Sequence, residues 1–184
     1  MKPTDVLIQE HGAILLLLNI LEAVSTRLQN NEPVDPEDLP RIVEFIRVFA
    51  DKCHHGKEEN LLFKSLAKAG MPVEGGPIAV MLAEHDQGRA FVAQMDKAAT
   101  AFVGGDKSAA DMFTRSAHGY THLLAGHIQK ENNVLFPMAD RMIPPDEQSR
   151  LLDGFDKVEA EVVGHGVHER FHELLDRLKA AYLE

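Results

Sequence analysis

HHGKEENLLF, at residues 54–63, recurs without gaps as HIQKENNVLF at residues 127–136. The two stretches share His, Lys, Glu, Asn, Leu and Phe at the same offsets. A Glu-His pair also recurs upstream, at residues 10–11 and 84–85, at nearly the same distance before each stretch. The first 140 residues therefore contain one unit twice, and this duplication predicts two similar helical hairpins that pair with each other.

Apolar residues recur at intervals of three and four almost throughout the chain, which predicts an all-α protein. Turn and capping residues divide residues 1–140 into four predicted helices, which run from Thr4 to Asn30, from Asp35 to Gly70, from Pro77 to Gly104 and from Asp106 to Pro137. Pro137 is predicted to end or kink the fourth helix. Four long helices with short connections predict an up-down-up-down antiparallel four-helix bundle.

Residues 141–184 are predicted to form a C-terminal helical extension packed on the bundle. Prolines at 144 and 145 precede one helix, glycines at 164 and 166 interrupt it, and a last amphipathic helix follows. About 40 residues are too few for a stable core of their own, so we interpret them as an appendage of the bundle domain at 1–140. The sequence leaves open whether this extension covers the bundle or forms the contact of a homodimer.

The composition argues against several classes of partner. The chain has 29 acidic and 19 basic residues, a formal net charge of −10, and no Lys- or Arg-rich run, so no nucleic-acid partner is expected. The longest apolar stretch, at 13–21, is interrupted by Asn19 and is shorter than the roughly 20 residues that cross a bilayer, so no membrane segment is expected. The single cysteine, Cys53, is expected to be a small buried side chain in a cytoplasmic protein.

The repeated His-x-x-x-Glu spacing predicts a metal site. Residues four apart lie on one face of an α-helix, so His54 lies beside Glu58, and His127 beside Glu131. Buried carboxylates without a counter-charge are costly, and divalent cations remove that cost because imidazoles and bridging carboxylates bind them. Pairing the two hairpins gives a predicted ligand set of His11, His54, Glu58, His85, His127 and Glu131.

Two further pairs of residues are interpreted as lying outside the site. His55 and Glu59 also have the i,i+4 spacing, but only the frame of His54 reproduces the phenylalanine found five residues past the repeated glutamate. His55 and Glu59 are therefore predicted to point away. Glu10 and Glu84 each precede a ligand by one residue and are predicted to face solvent.

The remaining histidines are interpreted as surface residues. His122 could offer a fifth imidazole, but it precedes His127 by five residues, about 7.5 Å along the helix and on the side opposite to Glu131. We therefore expect His122, like His118, on a partly exposed face. For the C-terminal histidines we expect a surface or docking role rather than a second metal site; they are His165, His168 and His172.

These motifs resemble the hemerythrin-like, or HHE cation-binding, family over about residues 5–140. The resemblance implies a four-helix bundle around a non-haem di-iron centre with an oxo or hydroxo bridge. It implies terminal ligation by His11, His54, His85 and His127, and bridging by Glu58 and Glu131. The chain departs from the five-histidine pattern of the oxygen-carrying hemerythrins, which have a further histidine where this chain has Arg89. Simple oxygen transport is therefore not expected.

Three functions follow from this ligand set and resemblance. The first is a protein whose two iron ions bind or sense a small ligand such as dioxygen or nitric oxide, or that handles iron. Histidine-rich ligation with few carboxylates favours reversible binding over strong oxidation, and so favours a ligand-binding protein over an enzyme. The second is a di-iron enzyme acting on peroxide or nitric oxide, or an iron donor for iron–sulfur cluster repair. The third is a structural module held by another divalent metal such as zinc.

Overall fold

The structure, a computed structural model, describes residues 1–164 and 166–184. These residues form six helices and no strand, which confirms the all-α prediction. The helices are α1 (Pro3–Gln29), α2 (38–68), α3 (Pro77–Val103), α4 (109–142), α5 (145–163) and α6 (Val167–Tyr182). The turns after α2 and α3 each contain a glycine in the left-handed region, Gly70 at φ 100° and Gly105 at φ 97°, a conformation that other residues rarely adopt.

The internal repeat is reproduced in an unusual backbone feature. α2 and α4 each contain a π-helical turn that begins at the repeated glutamate, at Glu58–Leu62 and Glu131–Leu135. In both turns the N–H of the following phenylalanine donates to the carbonyl of that glutamate, five residues back. α2 contains a second π-helical segment, Ile46–His55. Such turns are rare and frequently lie at functional sites.

Of the two alternatives predicted for Pro137, an end of the fourth helix is wrong, because α4 continues to Met142, and a kink stays a prediction. Pro137 is the second residue of the α-helical segment Phe136–Met142, which directly follows the π-helical turn. A proline in the first turn of a helical segment removes an N–H that need not have a partner within that segment. The π-helical turn therefore lets the chain pass through a proline without leaving the helix.

Three pairs of helices within residues 1–142 run in opposite chain directions. Between α1 and α4, Thr4 contacts Asp140 at 2.7 Å and Glu22 contacts His118 at 3.0 Å. Between α2 and α3, and between α3 and α4, the contacts show the same pattern: as residue numbers rise along one helix, the numbers of their contact partners fall along the other. Each of these three pairs is therefore antiparallel.

Two clusters of buried apolar residues lie at different levels along the helices. His11 lies between Leu7, which belongs to one cluster, and Ile14, which belongs to the other. The His54–Glu58 stretch lies in the same way between Ala50 and Leu62. The histidines and glutamates of the repeat thus form a polar layer between two apolar cores, where water has little access.

The C-terminal helices contribute to both clusters. In α5, Leu151 and Phe155 join the cluster around Leu7, and in α6 Phe171 packs edge-on against Phe45 with ring centroids 5.0 Å apart. The division into a domain at 1–140 and an extension at 141–184 stays a prediction.

Within the described residues, one helix, α1, is long and apolar enough to cross a membrane by length and composition alone. In its most apolar part, 44% of the residues are buried inside the protein. Core helices of soluble proteins have the same length and composition, so this property by itself does not indicate a membrane span.

Candidate metal centre

The structure brings all six predicted ligands together in the polar layer, and all six side chains are buried. The imidazoles form two pairs, each with one histidine from the first helix of a hairpin and one from the second. The Nε2 atoms of His11 and His54 lie 3.0 Å apart, and those of His85 and His127 lie 3.1 Å apart. Each half of the repeat therefore supplies one imidazole pair.

The two glutamates lie between the imidazole pairs. Glu58 places one oxygen 3.5 Å from Nε2 of His54 and the other 3.4 Å from Nε2 of His85. Glu131 places one oxygen 3.1 Å from Nε2 of His127 and the other 3.2 Å from Nε2 of His11. Each carboxylate thus reaches both pairs, as a ligand that bridges two ions must.

The chemistry of these donors fits a pair of cations. Both carboxylates are fully buried, and none of their four oxygens accepts a hydrogen bond. A buried polar atom without a partner is expensive, and a buried carboxylate more so. Two groups of four residues have ligand atoms that all lie within 4.8 Å of one another. One group includes His11 and His54, the other includes His85 and His127, and Glu58 belongs to both. Two divalent ions would satisfy all four oxygens.

Each of the four imidazoles is held at its other nitrogen by a side chain. Nδ1 of His11 donates to Asn132 at 2.8 Å, and Nδ1 of His54 donates to Glu10 at 2.8 Å. In the second half, Nδ1 of His85 donates to Glu59 at 2.7 Å, and Nδ1 of His127 to Glu84 at 2.8 Å. These partners fix the rings and leave every Nε2 atom facing the centre, as metal-binding histidines require.

The predicted solvent positions of Glu10 and Glu84 are therefore wrong. Both residues follow the α-helical geometry that was expected, about 100° around the helix from the neighbouring histidine. However, α1 contacts both α2 and α4, and α3 also contacts both of these helices. Two faces of α1 and of α3 are thus covered, so a residue beside a ligand still faces protein.

A repeated lysine holds each of these glutamates in turn. Lys57 contacts Glu10, and Lys130, at the same position of the repeat, contacts Glu84. Lys57 is completely buried and also donates to Glu159 of α5 at 2.7 Å, whereas Lys130 is 46% exposed. The C-terminal segment therefore covers the His54 side of the centre and leaves the matching position on the other side open.

The prediction that His55 and Glu59 point away is also wrong. The His55 ring is buried and stacks on the His85 ring with centroids 3.8 Å apart. His55 is the last residue of the π-helical segment Ile46–His55, where hydrogen bonds span five residues. This wider turn reduces the angle between neighbouring residues, so His54 and His55 both face inward. The repeat could not reveal this, because the matching residue is Ile128.

Arg89, which replaces the fifth histidine of the resemblance, joins an ionic cluster beside His85. It donates to Asp51 at 2.9 Å, to Glu59 at 2.6 Å and to Asp86 at 3.0 Å. Hydrogen bonds from His85 and Arg89 lower the pKa of Glu59 to about 2. Glu59 is therefore a carboxylate at neutral pH and can accept a hydrogen bond from Nδ1 of His85.

The protonation states of Glu58, His54 and His55 suit metal binding. Burial and the negative charge of Glu131 raise the pKa of Glu58 well above its ordinary value, so the two carboxylates do not ionise together without a counter-charge. Burial lowers the pKa of His54, and lowers that of His55 to about 3. Both imidazoles are therefore neutral, which is the form that binds a metal ion.

A pocket of about 330 Å³ reaches the His85 side of the centre from the surface. Its inner wall includes His55, His85 and Tyr120, and Arg47 and Lys97 line its exposed part. Of the six predicted ligands, only His85 lines this pocket. A small molecule could therefore approach the donors from one side.

Three other residues that the sequence singled out lie as predicted. His122 is exposed, and His118 contacts Glu22 on the surface, as predicted. Cys53 is buried, as predicted, and burial raises the pKa of its thiol to about 11. His172 is exposed, whereas His165 and the side chain of His168 lie outside the described residues, so the interpretation of that group stays a prediction.

Comparison with known proteins found relatives that share part of their sequence with this chain. An uncharacterized protein of Mycobacterium tuberculosis is 26% identical over 171 residues, which cover 93% of this chain and 63% of that protein. The iron-sulfur cluster repair protein YtfE of Escherichia coli is 33% identical over 125 residues, which cover 65% of this chain and 56% of that protein. The chain thus spans less than two thirds of either relative. No solved structure gives a significant match.

The family comparison covers the part of the chain that forms the centre. The model of the hemerythrin HHE cation binding domain matches residues 2–139. This range includes α1, α2, α3 and all six residues that the structure gathers in the polar layer. The match leaves out α5 and α6. The chain therefore belongs to the hemerythrin HHE cation-binding domain family.

Proposed function

We propose that this chain is a metal-binding protein with a non-haem di-iron centre that binds or senses a small ligand such as dioxygen or nitric oxide, or handles iron. One observation carries the proposal: two buried carboxylates span two imidazole pairs, and their four oxygens have no hydrogen bond. Two cations would stabilise carboxylates in this position.

In this proposal some side chains bind the ions and others hold those side chains in position. His11 and His54 would hold one ion, His85 and His127 the other, and the two glutamates would bridge them. The partners at Nδ1 keep the four rings aimed inward before an ion arrives. The apolar clusters above and below the layer limit the access of water to it. Bound iron would supply a redox-active Lewis acid with positions left for a small ligand.

The proposal includes the arrangement of the helices. We take α1 to α4 as an up-down-up-down four-helix bundle, which the three antiparallel pairs support. The C-terminal helices would be an extension of that bundle, since they add residues to its apolar clusters. A cytoplasmic location without a nucleic-acid partner stays a prediction from composition.

A second candidate is an iron donor for cluster repair. It is favoured by the similarity to YtfE of Escherichia coli, whose name describes iron-sulfur cluster repair. The two candidate functions use the same metal centre and differ in whether iron leaves it. A repair protein must release iron to a damaged cluster, whereas a ligand-binding protein keeps its iron and changes its visible spectrum when the ligand binds.

The decisive experiment is metal analysis of the protein purified from its own host, because expression elsewhere can load the wrong ion. We expect about two iron atoms per chain, and fewer than half of that in Glu131→Ala. The reduced protein should then change its visible spectrum when exposed to oxygen or nitric oxide. Iron loss coupled to reactivation of a damaged iron–sulfur enzyme would favour repair. Zinc or no metal would contradict both.

A further inference from the structure

We propose that His55 is a fifth imidazole ligand of the centre, on the side of His85 and His127. The inference rests on the proposed function, since it concerns an ion bound between these residues. It adds a ligand that neither the internal repeat nor the family match identifies. It also makes the two halves of the centre unequal, with two imidazoles in one half and three in the other.

The first support is distance. One nitrogen of His55 lies within 4.8 Å of the ligand atoms of Glu58, His85 and His127, and all four residues are buried. The other group of four contains His11, His54, Glu58 and Glu131. Each half of the centre thus has its own group of donors, and His55 completes one of them.

The second support is the residue at the matching position of the repeat. Ile128 occupies that position in α4, is buried and belongs to the apolar core. Ile128 thus indicates that an aliphatic side chain is sufficient for packing at this position. A buried imidazole costs desolvation of its nitrogens unless they find partners. A histidine at position 55, where the other half of the repeat has isoleucine, therefore indicates a polar interaction on the His85 side.

The third support is the way the ring is held. Nδ1 of His55 contacts Oδ1 of Asp51 at 3.4 Å, and Nε of Arg89 donates to the same oxygen at 2.9 Å. The four predicted histidine ligands also have an oxygen at Nδ1, at the shorter distances of 2.7 to 2.8 Å, so the looser contact of His55 leaves its ring freer to turn. This contact leaves Nε2 of His55 as the nitrogen available to an ion.

The His55 ring must turn to reach the ion that His85 binds. The two rings are 16° from parallel, so their nitrogens do not point at one place. A turn of His55 toward Glu58 would make them converge. The pocket of about 330 Å³ lies beside His55, so the ring is not packed tightly on every side. His55 also lies at the end of a π-helical segment, where the backbone already departs from regular α-helical geometry.

The test uses Co²⁺ alone, whose visible spectrum reports the number and type of its ligands. Wild type is expected to bind two Co²⁺ per chain. In His55→Ile, which copies the residue at 128, we expect one of the two to bind at least tenfold more weakly and to lose part of its absorption. The matched control is His122→Ile, which changes an exposed histidine and should leave both ions unaffected.

Chemical rescue separates ligation from packing. In His55→Ala, imidazole added to the solution can enter through the pocket, and we expect it to restore the Co²⁺ spectrum. A packing role predicts no such rescue. Two Co²⁺ bound by His55→Ile with unchanged affinity and spectrum would overturn the proposal and leave the proposed function intact. A wild type that takes up no Co²⁺ would overturn both.

Discussion

Glu59 and Asn132 occupy the same position in the two halves of the repeat, and each holds a histidine from another helix, His85 at 2.7 Å and His11 at 2.8 Å. The repeat therefore keeps the contact and changes its chemistry from carboxylate to amide. A carboxylate at Nδ1 makes an imidazole a stronger donor to a metal ion than an amide does. The His85 side of the centre should thus bind its ion more tightly.

Replacing Asn132 with alanine should weaken metal binding without unfolding the protein. The change leaves Nδ1 of His11 without its acceptor, so the ring is free to turn away from the centre. Loss of such a partner typically costs 10- to 100-fold in metal affinity, so we expect a loss in that range for one ion. Competition with a chelator of known affinity measures it.

The control for this variant is the adjacent Asn133→Ala. Asn133 is exposed, and its side chain donates to the carbonyl of Gln129 in its own helix. Metal affinity should therefore stay within a factor of two or so of the wild-type value. Equal losses in both variants would show that the contact with Nδ1 of His11 has no special role.

The sequence predicted the six residues of the polar layer because the repeat preserves their identity and spacing. It missed the support of Glu10 and Glu84, because helix periodicity assigns one buried face and these helices are covered on two. It missed His55 because the prediction assumed regular α-helical turns, and the π-helical segment Ile46–His55 turns two consecutive histidines inward. No local pattern distinguishes such a segment from an ordinary helix.

Glu58→Gln should stabilise the metal-free protein and abolish binding of one or both ions. Burial and the charge of Glu131 raise the pKa of Glu58, so its ionised form opposes folding when no cation is bound. An amide has the same shape and no charge, and its N–H groups can donate to Glu131. We expect the metal-free variant to gain about 1–2 kcal/mol in urea unfolding.

The same comparison made with metal present should reverse in sign. The wild type then gains stability from bound ions, and the variant gains less because it binds fewer. A variant that is less stable than wild type without metal would contradict the view that the two carboxylates repel each other in the folded protein.

The free energy of unfolding should decrease as the pH falls below about 4, because Asp38 becomes protonated. This residue links α6 to the start of α2. Asp38 is 1% exposed and accepts hydrogen bonds from Arg177 at 2.6 Å and Tyr182 at 2.8 Å. Against the effect of burial, these bonds and that of Arg41 lower the pKa of Asp38. A lowered pKa adds stability above the unfolded value near 3.9, and this is lost as the pH falls through the folded value.

Asp38→Asn should therefore cost about 2 kcal/mol at pH 7 and flatten the loss of stability in acid. Urea unfolding followed by circular dichroism between pH 3 and pH 7 gives both quantities. Glu44→Gln is the control, because Glu44 is exposed in the same helix, and its change should leave the pH profile as in wild type. An unchanged profile in Asp38→Asn would show that another group controls acid stability.

Lys57→Met and Lys130→Met remove the same residue from equivalent positions of the repeat and should have very different effects. Lys57 is fully buried between Glu10 and Glu159, and its ammonium also lies 5.7 Å from the centre of the Phe155 ring. Its loss leaves Glu10 as a buried charge without its ammonium partner, which we expect to lower the free energy of unfolding by about 3 kcal/mol.

Lys130 is 46% exposed, so solvent replaces it and we expect its loss to lower the free energy of unfolding by less than about 1 kcal/mol. Urea unfolding of the two variants measures the difference, and it should shrink or reverse in the background Glu10→Gln, where Lys57 is the buried charge that has lost its partner. Equal costs in the two single variants would mean that the C-terminal segment does not shield Lys57 from water.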